Sequence, residues 1–223
     1  MTEFIYRGLN HGDLNQVAAL HEICFAGYYL TRLGPRFLRA MYGWYVESPE
    51  AIAHVAVDDR GRVLGFVAGT TEESSYHSSL FRHRAGAMLS ALLGQLIRHP
   101  FQTLGLVWER KDMVLRALAA VTSRGPQPSN AASATAGDEP SPASLVSIGV
   151  EPSARRLGIA RRLTELFLVD AWGRGSTTAT LSVREDNLGA RRFYESLGWE
   201  EMSRSDQPYH GSISITYEKS TRE

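Results

Sequence analysis

Residues 144–163, SLVSIGVEPSARRLGIARRL, constrain the chain more than any other stretch. An apolar run ends at Val150, and Glu151-Pro152 stops it. Proline has no N–H to give a sheet ladder. A short loop then leads into a helical pattern that starts near Gly158. A strand, a loop and a helix in immediate succession place the chain in the α/β class.

The remaining periodicities agree. Phe4–Leu9 reads as a first strand, and Leu14, Val17, Ala18 and His21 share one helix face with Asp13 as N-cap. A break at Ala26-Gly27 precedes a second helix opened by Gly34-Pro35, with Phe37, Leu38, Met41 and Tyr45 on its apolar face. Ala51–Val57 and Val63–Thr71 form a hairpin around Asp58-Asp59-Arg60-Gly61. After residue 144, a strand (Leu145–Val150), a helix (158–172), a strand (Thr177–Val183), a helix (Leu188–Ser196) and two strands (Trp199–Ser203, Ser212–Glu218) follow. That order predicts a mixed sheet with helices on both faces, built as one domain over residues 1–219.

Residues 74–143 interrupt it. Leu80–Arg98 has a helical stripe of Ala85, Met88, Leu89, Leu92 and Leu96, ended by Pro100, and Thr103–Val121 has another. Residues 74–123 therefore read as a helical insertion between the third and fourth strands. Residues 124–143 are rich in Ala, Ser, Pro and Gly and read as a flexible linker. Between Leu80 and Arg124, seven Lys/Arg residues face two acids, Glu109 and Asp112. A helical hairpin with a solvated basic face accounts for this. So does a lid for an anionic acceptor, built on Arg82, Arg84, Arg98 and Arg110. The apolar residues on both helices also leave room for a homodimer or, ranked last, a membrane-surface contact.

Composition excludes several classes. Lys+Arg and Asp+Glu are both 24, so net charge gives no case for nucleic acid. A single cysteine, Cys24, rules out a disulfide scaffold or a zinc ribbon, and no metal site is expected. The N-terminal residues lack a basic start with an apolar core, and no run reaches transmembrane length, so a cytoplasmic protein is expected.

The loop after Val150 has a chemical reading. Backbone N–H groups at a helix start, with Arg155, Arg156, Arg161 and Arg162 close by, suit a phosphate or diphosphate. Four arginines in eight positions also fit a solvated helix face. Further on, Asn187 can cap a helix and offer an amide, and Tyr194 follows two turns later on the same face.

Together these residues resemble the GNAT acetyltransferase superfamily. Its R-x-x-G-x-A loop is matched by Arg155, Gly158 and Ala160, and its N-x-x-A-x-x-x-Y-x-x-x-G-W segment by Asn187, Ala190, Tyr194, Gly198 and Trp199. The resemblance implies a mostly antiparallel α/β sheet flanked by helices, and acetyl-CoA as co-substrate. It implies that Arg155, Arg156, Leu157, Gly158, Ile159 and Ala160 bind the cofactor, with the diphosphate on the amides from Arg156 to Arg161. Ile148, Gly149 and Val150 would run beside the pantetheine arm, Asn187 would contact it, and Tyr194 would both contact it and protonate the leaving thiolate. The resemblance further implies an acceptor site near Tyr28, Tyr29 and Tyr209, which suits a primary amine of a small molecule such as an amino sugar. A protein lysine or N-terminus, and a non-catalytic acyl-CoA-binding domain, are the alternatives. The fourth strand holds no acid to serve as base; Ser147 can hold a water, and Glu72 and Glu73 stand at the end of the neighbouring strand.

Overall fold

The computed structural model describes residues 4–98, 141–207 and 212–221. In chain order the elements are β1 (Ile5–Gly8), α1 (Leu14–Cys24), α2 (Tyr29–Arg32), α3 (Pro35–Glu47), β2 (Ala51–Val57), β3 (Val63–Thr70), α4 (Glu73–Arg98), β4 (Ala143–Val150), α5 (Ile159–Gly173), β5 (Thr178–Arg184), α6 (Leu188–Ser196), β6 (Glu200–Arg204) and β7 (Ser214–Ser220). Among the described residues, seven strands make one sheet in the order β1-β2-β3-β4-β5-β7-β6. Every neighbouring pair is antiparallel except β4–β5.

The β2–β3 hairpin forms as its turn residues require. Asp58 Oδ1 accepts from the N–H groups of Arg60 (3.0 Å) and Arg62 (2.8 Å), and Gly61 takes φ 76°. Each face of the sheet then has its own core. On one face α1, α3 and α4 bury Val17, Leu38, Tyr42 and Trp44 against Val55 and Phe66. On the other, α5 buries Leu163 and Phe167 against Leu181, Ile215 and Tyr217. Each such side chain contributes roughly 1.5–3 kcal/mol by leaving water. Gly65 lets α5 sit close to β3, since a Cβ there would stand 2.7 Å from Ile159 Cγ2.

Several boundaries differ from expectation. Asp13 does not cap α1 with its side chain. Asn10 caps a preceding 3₁₀ turn, and the Asp13 carboxylate turns back to Asn10 N–H (3.1 Å) and to Arg7 (2.6 and 2.8 Å). β4 starts at Ala143 and not Leu145, inside the expected linker, and β7 starts at Ser214 and not Ser212. The four-residue α2 was not anticipated. The helix of the insertion begins at Glu73, seven residues before Leu80. Its serine-rich first turns are weak helix formers. Tertiary contacts hold them: Tyr76 and Tyr45 hydroxyls lie 2.6 Å apart, and Trp44 Nε1 donates to Ser79 Oγ at 3.2 Å. The buried line of α4 is Tyr76, Leu80, Met88 and Ala91, while Leu89 of the expected stripe is 39% exposed. Residues 99–140, with the second helical pattern and most of the linker, lie outside the described residues.

Candidate active site

β4 and β5 pair at three positions, Ala143–Ala179, Ser144–Thr180 and Leu145–Leu181. Beyond Leu145 the two strands are no longer paired. Val146 is a bulge against β3, where Ala68 pairs with Ser147 but Gly69 pairs with Leu145. The bulge puts Ser147 on the α1/α3 side of the sheet, opposite Ala68 of that core. A cleft of about 340 Å³ opens where the strands part.

Sequence-distant side chains meet there. Tyr28 and Tyr29 line the cleft together with Ile148, Asn187 and Tyr194, so five expected site residues share one cavity. Tyr194 is 4% exposed and packs edge-on against Trp199 with ring centroids 5.8 Å apart. Burial pushes its phenol well above the usual range, so it keeps its proton at neutral pH. Asn187 caps α6 through its side-chain oxygen, which accepts from Ala190 N–H at 3.2 Å. The amide nitrogen of Asn187 remains to serve as a donor.

Gly149 and Val150 are not part of the lining. Val150 O accepts from Arg155 Nε at 3.2 Å and from the Cys24 thiol at 3.4 Å. Burial pushes the Cys24 thiol up, beyond what the nearby Arg155 lowers, so it donates as a neutral thiol. Tyr209 lies outside the described residues.

The loop at the end of β4 has the form of an anion cradle. Arg156 (φ 63°) and Gly158 (φ 84°) are both left-handed. Such pairs turn successive N–H groups toward one side. Among the described residues, no backbone or side-chain acceptor takes the N–H groups of Arg156, Leu157, Gly158, Ile159, Ala160 or Arg161; Arg162 is the first to donate, to Gly158 O at 3.0 Å. A Cβ on Gly158 would meet no protein atom within 4 Å, so its φ, and not crowding, favours glycine there. These groups stand at the N-terminus of α5, where a diphosphate would be favoured.

Several residues that sequence reading passed over also line the cleft. His21, Tyr45 and Tyr76 do so, and so does Arg184, whose guanidinium sits 5.5 Å from the Tyr28 ring centroid and pairs with Asp186. His21 had a visible signal, a polar residue on an apolar helix face. Tyr76 had none, because its place depends on α4 packing against α3. Glu72 and Glu73 do not line the cleft; Glu73 accepts from Thr180 Oγ1 at 3.3 Å. Arg84 is not a free lid cation. It donates to Gly43 O at 2.8 Å and pairs with Glu47, tying α4 to α3. Among the described residues, no three His, Cys, Asp or Glu side chains are grouped to hold a metal ion, and no helix is long and apolar enough to cross a membrane.

Comparison with known proteins agrees with this geometry. The family model described as "Acetyltransferase (GNAT) family" matches residues 14–199. No curated protein sequence matches the chain. Solved structures with the same fold include a GCN5-related N-acetyltransferase from Kribbella flavida (17% identity, TM-score 0.59, 98% of each chain covered). Another is the ribosomal-protein-S18-alanine N-acetyltransferase from Escherichia coli (15% identity, TM-score 0.56, 97% of this chain and 92% of that one). A third is Arabidopsis thaliana NAA60 with a bisubstrate analogue (14% identity, TM-score 0.55, 99% and 100%).

Proposed function

The chain belongs to the GNAT acetyltransferase family, and on that premise we propose that it uses acetyl-CoA to acetylate a primary amine of a small molecule directly. The parting of β4 from β5 after Leu145 carries this reading, because it opens a cleft on the strand that ends in the cradle. The cradle's own groups fit a diphosphate: six N–H groups without an acceptor, open space over Gly158, and Arg156 and Arg161 exposed beside them.

Acetyl-CoA, when bound, supplies the acetyl group as a thioester. The chain's residues do the rest. Amides from Arg156 to Arg161 hold the diphosphate. Ile148 walls the pantetheine path and Asn187 offers its amide to it. Tyr194 keeps its proton until the departing sulfur takes it; the burial that raises its phenol also disfavours a bare thiolate in the same cleft, so the sulfur draws the proton as it leaves. Cys24 stays outside the chemistry, held against Val150 O.

The small cleft supports a small acceptor. Phe25, Tyr28 and Tyr29 wall one end, and the Tyr45–Tyr76 pair joins α3 to α4 beside it. Arg184, the cation in the lining, is engaged by Asp186. Calorimetry with acetyl-CoA, followed by coenzyme A release across a panel of amino sugars, simple amines and peptides, tests the proposal. Binding followed by turnover of small amines is expected. Turnover confined to peptides would move the reading to protein acetylation. Binding with no turnover of any amine would leave an acyl-CoA-binding domain.

A further inference from the structure

The transferase reading leaves one proton without a destination. An amine nitrogen loses a proton as it becomes an amide, yet among the described residues no Asp or Glu lines the cleft. β4 holds no acid either.

A different set of polar groups reaches the cleft from the α1 and α3 side. Tyr42 Oη lies 2.7 Å from His21 Nδ1 and 3.1 Å from Ser147 Oγ. His21 and Ser147 both line the cleft, and Tyr42, fully buried, joins them. The Phe25 and Phe66 rings flank the imidazole, with centroids 4.5 and 6.5 Å away. Among the described residues, His21 Nε2 is buried with no hydrogen-bond partner. With Nδ1 facing the Tyr42 hydroxyl, the ring carries its proton on Nε2 and leaves Nδ1 free to accept.

The three groups stand in a workable order. A hydroxyl and a phenol each donate and accept at once, and a neutral imidazole can take one more proton. Burial pushes His21 down to about 4, so the ring is neutral at neutral pH. Negative charge developing in the cleft favours its protonated form during the reaction. Burial also raises Tyr42, which therefore passes a proton on without resting as a phenolate.

We infer that Ser147, Tyr42 and His21 form a proton relay that draws the proton from the acceptor nitrogen. This rests on the N-acetyltransferase reading. As the nitrogen–carbon bond forms and the carbon–sulfur bond breaks, the N–H proton passes to Ser147 Oγ. The Ser147 hydroxyl proton passes to Tyr42 Oη, and the Tyr42 proton to His21 Nδ1. Tyr194 gives its proton to the sulfur. The imidazolium and phenolate that remain exchange protons with water when the products leave, and nothing is oxidised or reduced. Ser147 meets the acceptor; Tyr42 and His21 act through it as positioning residues.

The test uses acetyl-CoA with two probe amines, ethanolamine and the less basic hydroxylamine, whose nitrogen gives up its proton to water more readily. Ser147→Ala, Tyr42→Phe and His21→Gln are each expected to lower kcat for ethanolamine by about 10²-fold, against less than ~10-fold for hydroxylamine, with acetyl-CoA Kd unchanged. Ser147→Thr keeps a hydroxyl and restores ethanolamine turnover. Thermal melts report folding, and if Tyr42→Phe fails to fold, the Ser147 pair decides. Variants that keep ethanolamine turnover, or lose both amines equally, overturn the relay and leave the transferase standing. Wild-type protein that binds acetyl-CoA but acetylates neither these probes nor any amine of the wider panel overturns the transferase reading, and the relay with it.

Discussion

The cradle after β4 and the wall of the cleft are built by opposite means. The cradle is local. Six consecutive residues supply its N–H groups, and two left-handed residues, Arg156 and Gly158, aim them. The wall is distributed. His21, Tyr42 and Ser147 come from α1, α3 and β4, and their contacts span up to 105 positions of sequence. A site made of backbone needs only its own segment to fold. A site made of side chains needs the whole sheet and both helices in register first. The two should therefore fail differently when substituted.

The sharpest contrast is at Gly158. Gly158→Glu places a carboxylate where the diphosphate would lie, and acetyl-CoA binding is expected to weaken by more than about 10³-fold. A Cβ there meets no protein atom, so thermal stability should fall only by the left-handed backbone strain, about 1 kcal/mol. Gly158→Ala gives that strain alone. If calorimetry finds Gly158→Glu binding as well as Gly158→Ala, the cradle does not hold a diphosphate. Tyr194→Phe breaks the other region. It removes one hydroxyl from a well-packed ring, so acetyl-CoA Kd should stay put while kcat drops by about 10³-fold. A kcat within about threefold of wild type would remove the proton-donor role.

This contrast also explains what could be read from the sequence. Strand-loop-helix order and the glycine at 158 are written in consecutive residues, and so is the Asp58–Gly61 turn. The apolar face of α3 was equally plain: Phe37, Leu38, Met41 and Tyr45 are all buried. Its other side was not, because Tyr42 and Trp44 are buried too, the helix being enclosed by α1 and the sheet on one side and α4 on the other. The start of α4 was missed for the same reason. Ser74, Ser75, Ser78 and Ser79 speak against a helix locally, and the contacts of Tyr76 and Ser79 with Tyr45 and Trp44 outweigh them. Arg84 read as free charge until the fold gave it Gly43 O and Glu47. The Val146 bulge that turns Ser147 toward α1 and α3 depends on register, which no periodicity records.

The wall should also show itself in acid. His21 is pushed down to about 4 in the folded chain from an ordinary 6.5. Between those values the unfolded chain binds more protons than the folded one, so stability falls as pH drops. The full effect is about 3 kcal/mol, present above pH ~6.5 and gone below pH ~4. Denaturant melts of wild type and His21→Gln over that window should differ in slope, the variant losing less. Equal slopes would mean that the imidazole is not enclosed as described. The Arg7–Asp13 pair acts in a separate, lower window. Burial pushes the Asp13 carboxyl up, but hydrogen bonds from Arg7 and Asn10 N–H and the Arg7 charge outweigh it and hold it below the usual range. Its contribution is therefore lost only as pH falls below ordinary carboxylate values.

The smallest expected effect falls where the two kinds of construction meet. Asn187 uses one end of its side chain for a local task, capping α6, and the residue also lines the cleft. The two tasks separate by substitution. Asn187→Ala removes both and should cost about 1 kcal/mol, a fall of roughly 2–4 °C in Tm for a chain of this size. Asn187→Asp keeps an oxygen to accept from Ala190 N–H, and a negative charge at a helix start is favourable, so Tm should hold. What it loses is the N–H donor. If that donor serves the pantetheine arm, Asn187→Asp should weaken acetyl-CoA binding several-fold, as loss of one neutral hydrogen bond does, with kcat little changed. Should Asn187→Asp bind acetyl-CoA as the wild type does, Asn187 is a helix cap alone, and the contact with ligand passes to Ile148 and the cradle.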